Sequence, residues 1–178
     1  MTAETLPRPR AGEYNEYYQR YIAMVPDGDI VEALQRQMEE THALLQSVPA
    51  DREAYRYAEG KWSLREVVGH LIDTERLFAF RALWFARGEA AEMGGMDQDA
   101  WVLNSNAAEQ PIADLADEWV ALRRANVLMF DSFDAATGAL SGVASGFDVT
   151  VRALVWMMAG HEVHHRALIR RDYLGEPT

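Results

Sequence analysis

The sequence contains no cysteine. That absence excludes disulfides, thiolate metal ligands and a protein thiol nucleophile together. Strong metal ligands are then limited to His, Asp and Glu, so any metal site here rests on imidazole and carboxylate chemistry. Long apolar runs are missing as well, and no uncharged stretch approaches the roughly 20 residues that cross a bilayer. The polar stretch from Met1 to Gly12, with Pro7 and Pro9, lacks the apolar segment of a signal peptide. A cytoplasmic protein with no membrane partner is expected. Positive charge is also scarce: 17 Lys and Arg stand against 28 Asp and Glu, for a net charge of −11. A field of that sign repels phosphate backbones, and no basic cluster creates a local exception. The densest basic stretch, Arg166, Arg170 and Arg171, more simply complements the negative end of the last helix. Nucleic acid is therefore not an expected partner, whereas a small-molecule substrate is.

What is present reads as helix. Hydrophobic residues make up 49% of the 178, too many for a disordered chain and enough for one domain with a full core. Asp27-Gly28-Asp29 precedes a 3.6-period stripe of Ile30, Ala33, Leu34, Met38 and Leu45 that ends near Val48-Pro49. The segment before it, Tyr14 to Val25, is aromatic and also reads as helical. A connector follows from Asp51 to Gly60. Ser63 with Glu66 forms a capping box for a helix that runs to about Arg87, where Gly88 stops it. The glycines of 88–96 predict a mobile loop, and 97–106 a short helix carrying Trp101. Pro111 opens a further long helix with Leu115, Trp119, Leu122, Val127 and Phe130 inward. Gly138, Gly142 and Gly146 predict a loop. Thr150, or Asp148 before it, then caps a last helix to about Tyr173, with Gly175 and Pro177 beyond. No strand-period run is long enough for a sheet. The expected fold is all-α, a four-helix bundle with short additional helices and a crossover connection. It forms one domain over 1–178, with an N-terminal extension at 1–26 and the bundle at 27–174.

The last helix carries the chemistry. Its inward stripe follows Val151, Leu154, Val155 and Met158 to His161 and His165. At i, i+4 spacing two imidazoles lie one turn apart on one face and can reach a single ion. The string His161-Glu162-Val163-His164-His165 also fits H-E-x-x-H, the zinc-protease helix with its glutamate base. The extended form of that motif needs glycine and histidine where Leu168 and Arg171 stand, and few residues follow His165. A third ligand is therefore expected upstream, at His42 or His70. His42 follows Glu39, Glu40 and Thr41, a solvated face, whereas His70 lies in the apolar helix after Ser63. His70, His161 and His165 are the expected ligands. Three imidazoles leave a coordination position open, as in catalytic sites. Core histidines bonded to backbone carbonyls, with no metal, are the plainer alternative.

The stretch Gly60-Lys61-Trp62-Ser63-Leu64-Arg65-Glu66-Val67-Val68-Gly69-His70-Leu71-Ile72-Asp73-Thr74-Glu75-Arg76 resembles the first metal-binding helix of the DinB-like (DinB/YfiT) superfamily. Ala159-Gly160-His161-Glu162-Val163-His164-His165 resembles its second. Arg81-Ala82-Leu83-Trp84-Phe85-Ala86-Arg87-Gly88 and Met96-Asp97-Gln98-Asp99-Ala100-Trp101 are similar to its middle elements. The resemblance spans about 30–174 and implies a four-helix bundle, commonly a homodimer, with a divalent metal on the same three histidines. It further implies a metal-dependent transferase or isomerase working with a small thiol such as bacillithiol or mycothiol. Other members are described as metal-dependent hydrolases using metal-bound water. A non-catalytic metal-binding stress-response module is a third possibility. Zinc or nickel suits imidazole ligands, as do iron and others.

Metal-bound imidazoles usually donate their second N–H to a carboxylate or carbonyl. Asp73, Glu75 and Glu162 are the nearby carboxylates, although Glu162 lies 100° around the helix from His161, with a water-facing position as the alternative. His164 is off the stripe. Trp62, Trp84 and Trp101 are candidates for the pocket mouth, with plain core as the alternative. The Met157-Met158 pair reads as core. Tyr14, Tyr17, Tyr18 and Tyr21 are expected to pack either across a dimer or over the bundle.

Overall fold

A computed structural model describes residues 6–176; Pro177, expected just past the last helix, lies outside the described residues. The N-terminal segment forms a 3-10 turn, Glu16–Tyr18, and one α-turn, α1 (Gln19–Ile22), in place of a continuous helix from Tyr14 to Val25. Helix α2 (Ile30–Gln46) starts where the Asp29 side chain accepts from the N–H groups of Val31 and Glu32. Helix α3 (Leu64–Ala86) starts on the Ser63/Glu66 capping box read from the sequence. Asp97 caps the short α4 (Gln98–Asn104), and Pro111 stands at the N-cap of α5 (Ile112–Asp131). A short α6 (Ala135–Ala139) leads to the hairpin β1 (Ser141–Ala144) and β2 (Phe147–Thr150). Thr150 accepts from Ala153 N–H to begin α7 (Val151–Leu168), which continues as a wider π-turn over Ile169–Tyr173.

Helices α2, α3, α5 and α7 are the bundle: α2 packs on α5 and α7, and α3 packs on α7 and α5. The first half of α7 is buried all round, from Val151 through Leu154, Val155, Trp156, Met157 and Met158 to Ala159. One apolar cluster surrounds that half; a second joins the start of α3 to α5, Ile169 and Tyr173. His161 and His165 occupy the interval on α7 between the two clusters. Among the described residues no helix is long and apolar enough to cross a membrane.

Three expectations need correction. The loop expected around Gly138, Gly142 and Gly146 contains an antiparallel hairpin, with Ser141 opposite Thr150 and Ala144 opposite Phe147. Ser145 and Gly146 turn it with φ of 56° and 79°, the left-handed pair of a tight hairpin. Four-residue strands are too short for alternation to stand out. The loop at 88–96, expected to be mobile, is tied at its middle: Met93 donates to the Val143 carbonyl at 2.9 Å and accepts from Ser145 N–H at 2.9 Å. On α5, Leu122 is half-buried while its neighbour Arg123 is fully buried.

Candidate metal centre

His70 sits in the second turn of α3, beyond a cap that fixes where the helix starts, and α7 presents His161 and His165 one turn apart. The Nε2 atom of His161 lies 3.2 Å from that of His70 and 3.1 Å from that of His165. All three side chains are buried, and their ligand atoms lie within 4.8 Å of one another. Two nitrogens held about 2.0–2.1 Å from one tetrahedral ion stand about 3.3 Å apart, so the spacing fits shared coordination. The donor set fits too. A proton on one Nε2 can bridge a single neighbour and leaves the remaining lone pair without one, whereas a cation satisfies all three.

Electrostatics favours the ligand form. Burial pushes His70 down to about 4, with the Asp99 charge opposing. Burial, followed by the charges of His70 and His164, pushes His165 down to about 3. His161 is held well below its ordinary value by burial and by its imidazole neighbours. Neutral imidazole is the state that binds metal.

The proposed supporting carboxylates are elsewhere. Glu162 does not face water: it is buried, accepts from Thr41, and lies 3.3 Å from Arg166. The 100° step per residue carries it toward α2 and away from the histidines. Glu75 is committed to Arg123, with bonds of 2.7 and 2.8 Å, and to Asn126 at 3.0 Å. Asp73 lies 3.7 Å from Arg76. None of the three hydrogen-bonds a triad imidazole among the described residues. Nδ1 of His165 is buried with no partner there, so no carboxylate behind it fixes its tautomer. With Glu162 turned away, the H-E-x-x-H string has no base at the centre.

Aromatic rings enclose the triad. Trp62 lies with its ring 4.9 Å from that of His70, and Tyr21 is 5.5 Å from His161 and 5.3 Å from His164. Tyr14, Tyr18 and Tyr21 pack on the bundle, whereas Tyr17 is 53% exposed. Trp84 lies beside Phe80, and Trp101 is 43% exposed next to a shallow depression at Asp73, so neither lines the centre. His42 is 3.7 Å from Asp117, away from the triad.

Two cavities abut the histidines. One of about 380 Å³ is bounded by His165, Trp62, Tyr57, Lys61 and Asp99. Another, of about 80 Å³, is bounded by His70, His161, Tyr21, Thr74 and Met96. Gln98 belongs to both walls. Thr74 Oγ1 is buried without a partner; its place one turn after His70 was legible in the sequence. Gln98 and Asp99 were not singled out, because only tertiary docking brings α4 to the site.

The family model of the DinB superfamily matches residues 33–169. No curated protein sequence matches significantly. A solved structure, YfiT from Bacillus subtilis, described as "a probable metal-dependent hydrolase with an unusual four-helix bundle topology", superposes with a TM-score of 0.64 at 16% identity. The match covers 95% of this chain and 94% of that one. At that identity the likeness is one of fold.

Proposed function

The chain belongs to the DinB superfamily, and from that premise we propose that it is a metal-dependent transferase that joins a small external thiol to an electrophile. The observation that carries this reading is the convergence of three neutral imidazole nitrogens with no carboxylate among them. A divalent ion held there, zinc or nickel by ligand preference, would keep its full charge and would lower the pKa of a bound thiol or water.

The chain's own residues do the rest. His70, His161 and His165 hold the ion, and Trp62 and Tyr21 keep bulk water from their rings. Asp99, on the wall of the larger cavity, is the carboxylate available to accept a proton from the incoming nucleophile. Two cavities meeting at one triad suit two organic reactants, a provision that water does not need. A chain without cysteine must take its thiol from outside.

Hydrolysis is the second reading, favoured by the description of the YfiT structure. The test uses tag-free, metal-loaded protein with bacillithiol and monochlorobimane. The expected result is turnover that needs both metal and thiol, disappears in His161→Ala, and falls by about 10²-fold or more in Asp99→Asn. Ester hydrolysis without thiol supports the hydrolase instead. Full metal occupancy with neither activity overturns both in favour of a non-catalytic module.

A further inference from the structure

Two arginines are buried among the described residues, and they differ in one respect. Arg123 is paired with Glu75. Arg81 is 3% exposed, yet no carboxylate lies within ion-pair distance of it among the described residues. Its Nη2 donates to the Gly94 carbonyl at 2.5 Å and to Ser145 Oγ at 3.1 Å. Its Nε is buried with no partner. Holding the 88–96 loop against the hairpin accounts for one nitrogen of the guanidinium and leaves it without an ion pair among the described residues. A buried, unpaired cation is costly, and a guanidinium fork with free donors is the group that receives a carboxylate.

Arg81 lines a cavity of about 300 Å³ together with Tyr17, Tyr18, Phe147, Leu154 and Met157. Tyr17 and Tyr18 also line the small cavity at His70 and His161. Arg81 follows His70 by three helical turns on nearly the same face of α3, about 16 Å along the axis. On α7, Met157 and Leu154 precede His161 by one and two turns. The two cavities thus share Tyr17 and Tyr18 as a common wall beside α3 and α7, with the cation on one side and the histidines on the other. A single guanidinium, no other Lys or Arg on the wall and an Asp148 carboxylate on it select a monoanion over a phosphate. The apolar side chains select a ligand with an apolar body. Burial holds the Tyr18 phenol above its ordinary range, so it stays a neutral donor.

We propose that this cavity binds an amphipathic organic carboxylate, with the carboxylate on Arg81 and the apolar body between Met157 and Phe147, and that a reactant of the histidine centre is an acid of this class. The binding claim stands on the cavity alone; the claim about the reactant rests on the catalytic reading above.

The test compares 4-phenylbutyrate with its neutral counterpart 4-phenylbutanol by calorimetry. Both are titrated into metal-loaded wild-type protein and into wild-type protein stripped of metal by chelator. The acid is expected to bind at least about tenfold more tightly than the alcohol in both forms. Arg81→Met abolishes that preference and Arg81→Lys keeps part of it. Phe147→Ala, at a side chain 53% exposed, weakens both compounds severalfold without unfolding the chain. Equal binding of acid and alcohol overturns the proposal, as does a preference that survives Arg81→Met or acid binding that needs the metal. If Arg81→Met fails to fold, Phe147→Ala decides: unchanged acid binding sinks the site. Binding without thiol turnover leaves the site standing and removes only the catalytic reading; turnover without binding does the reverse.

Discussion

The main-chain carbonyl of Tyr21 rests against the Cα of Gly160, the residue before His161, so closely that a Cβ at 160 would overlap it. Glycine inside a helix costs about 0.5–1 kcal/mol relative to alanine. Here it lets the tyrosine segment come down on α7 and lay Tyr21 over His161 and His164. The other ligand helix repeats the device: a Cβ at Gly69, the residue before His70, would overlap that of Ala107.

Gly160→Ala is therefore expected to destabilise the fold by about 1–3 kcal/mol, although helix propensity alone predicts a gain. Urea unfolding followed by circular dichroism measures the change. An unchanged or raised midpoint would show that the Tyr21 segment can lift away at no cost.

The Glu75–Arg123 pair lies in the bundle core, with side chains 3% and 0% exposed. Glu75→Leu strands the arginine and should cost about 3–5 kcal/mol, whereas Glu75→Leu with Arg123→Met should come back to near wild-type stability. Metal content should be unchanged in the double variant, because neither residue touches the triad. A double variant as unstable as the single one would mean that Asn126 Nδ2 and Gln37 Oε1, which lose their partners, dominate the energetics.

The bundle and the triad were legible because their signals are local or periodic. Ser63, Glu66, Asp29, Asp97 and Thr150 mark helix starts through short-range bonds, and the α7 stripe puts His161 and His165 inward by spacing alone. His70 could be chosen over His42 from the character of its helix. The supporting carboxylates were misjudged for a definite reason. Nearness in sequence to a ligand says little when each residue turns the helix by 100°, and Glu75 and Glu162 point to Arg123 and Thr41. Arg81 and Asp99 were not singled out, since a buried cation without an anion and a carboxylate on a docked helix are visible only after the chain has folded.

Glu13 ties the N-terminal segment to α7 through Arg152 and Thr150. Its bond to the Arg152 guanidinium, against opposing burial, holds its carboxyl below the ordinary range. A depressed carboxyl contributes stability that is fully present above its unfolded value and lost as pH falls through the folded one. Wild type should therefore lose stability from about pH 4.5 downward more steeply than Glu13→Gln. Thermal melts of both proteins between pH 6 and 3 test this, and parallel curves would dismiss the contribution.

Metal content is the sharpest discriminator among the five histidines. Tag-free wild type should retain close to one divalent ion per chain after exhaustive dialysis. His70→Ala, His161→Ala and His165→Ala should each weaken binding by more than about 100-fold, since loss of a direct ligand exceeds the 10–100-fold typical of an outer partner. His42→Ala and His164→Ala should leave it intact, because one faces Asp117 and the other lies beside Tyr21 outside the converging nitrogens. Glu162→Gln separates this arrangement from the protease-like one. With its carboxylate against Thr41 and Arg166, it should lower stability and spare the metal. Loss of metal in Glu162→Gln with stability preserved would return the glutamate to the centre and overturn the assignment of three imidazoles alone.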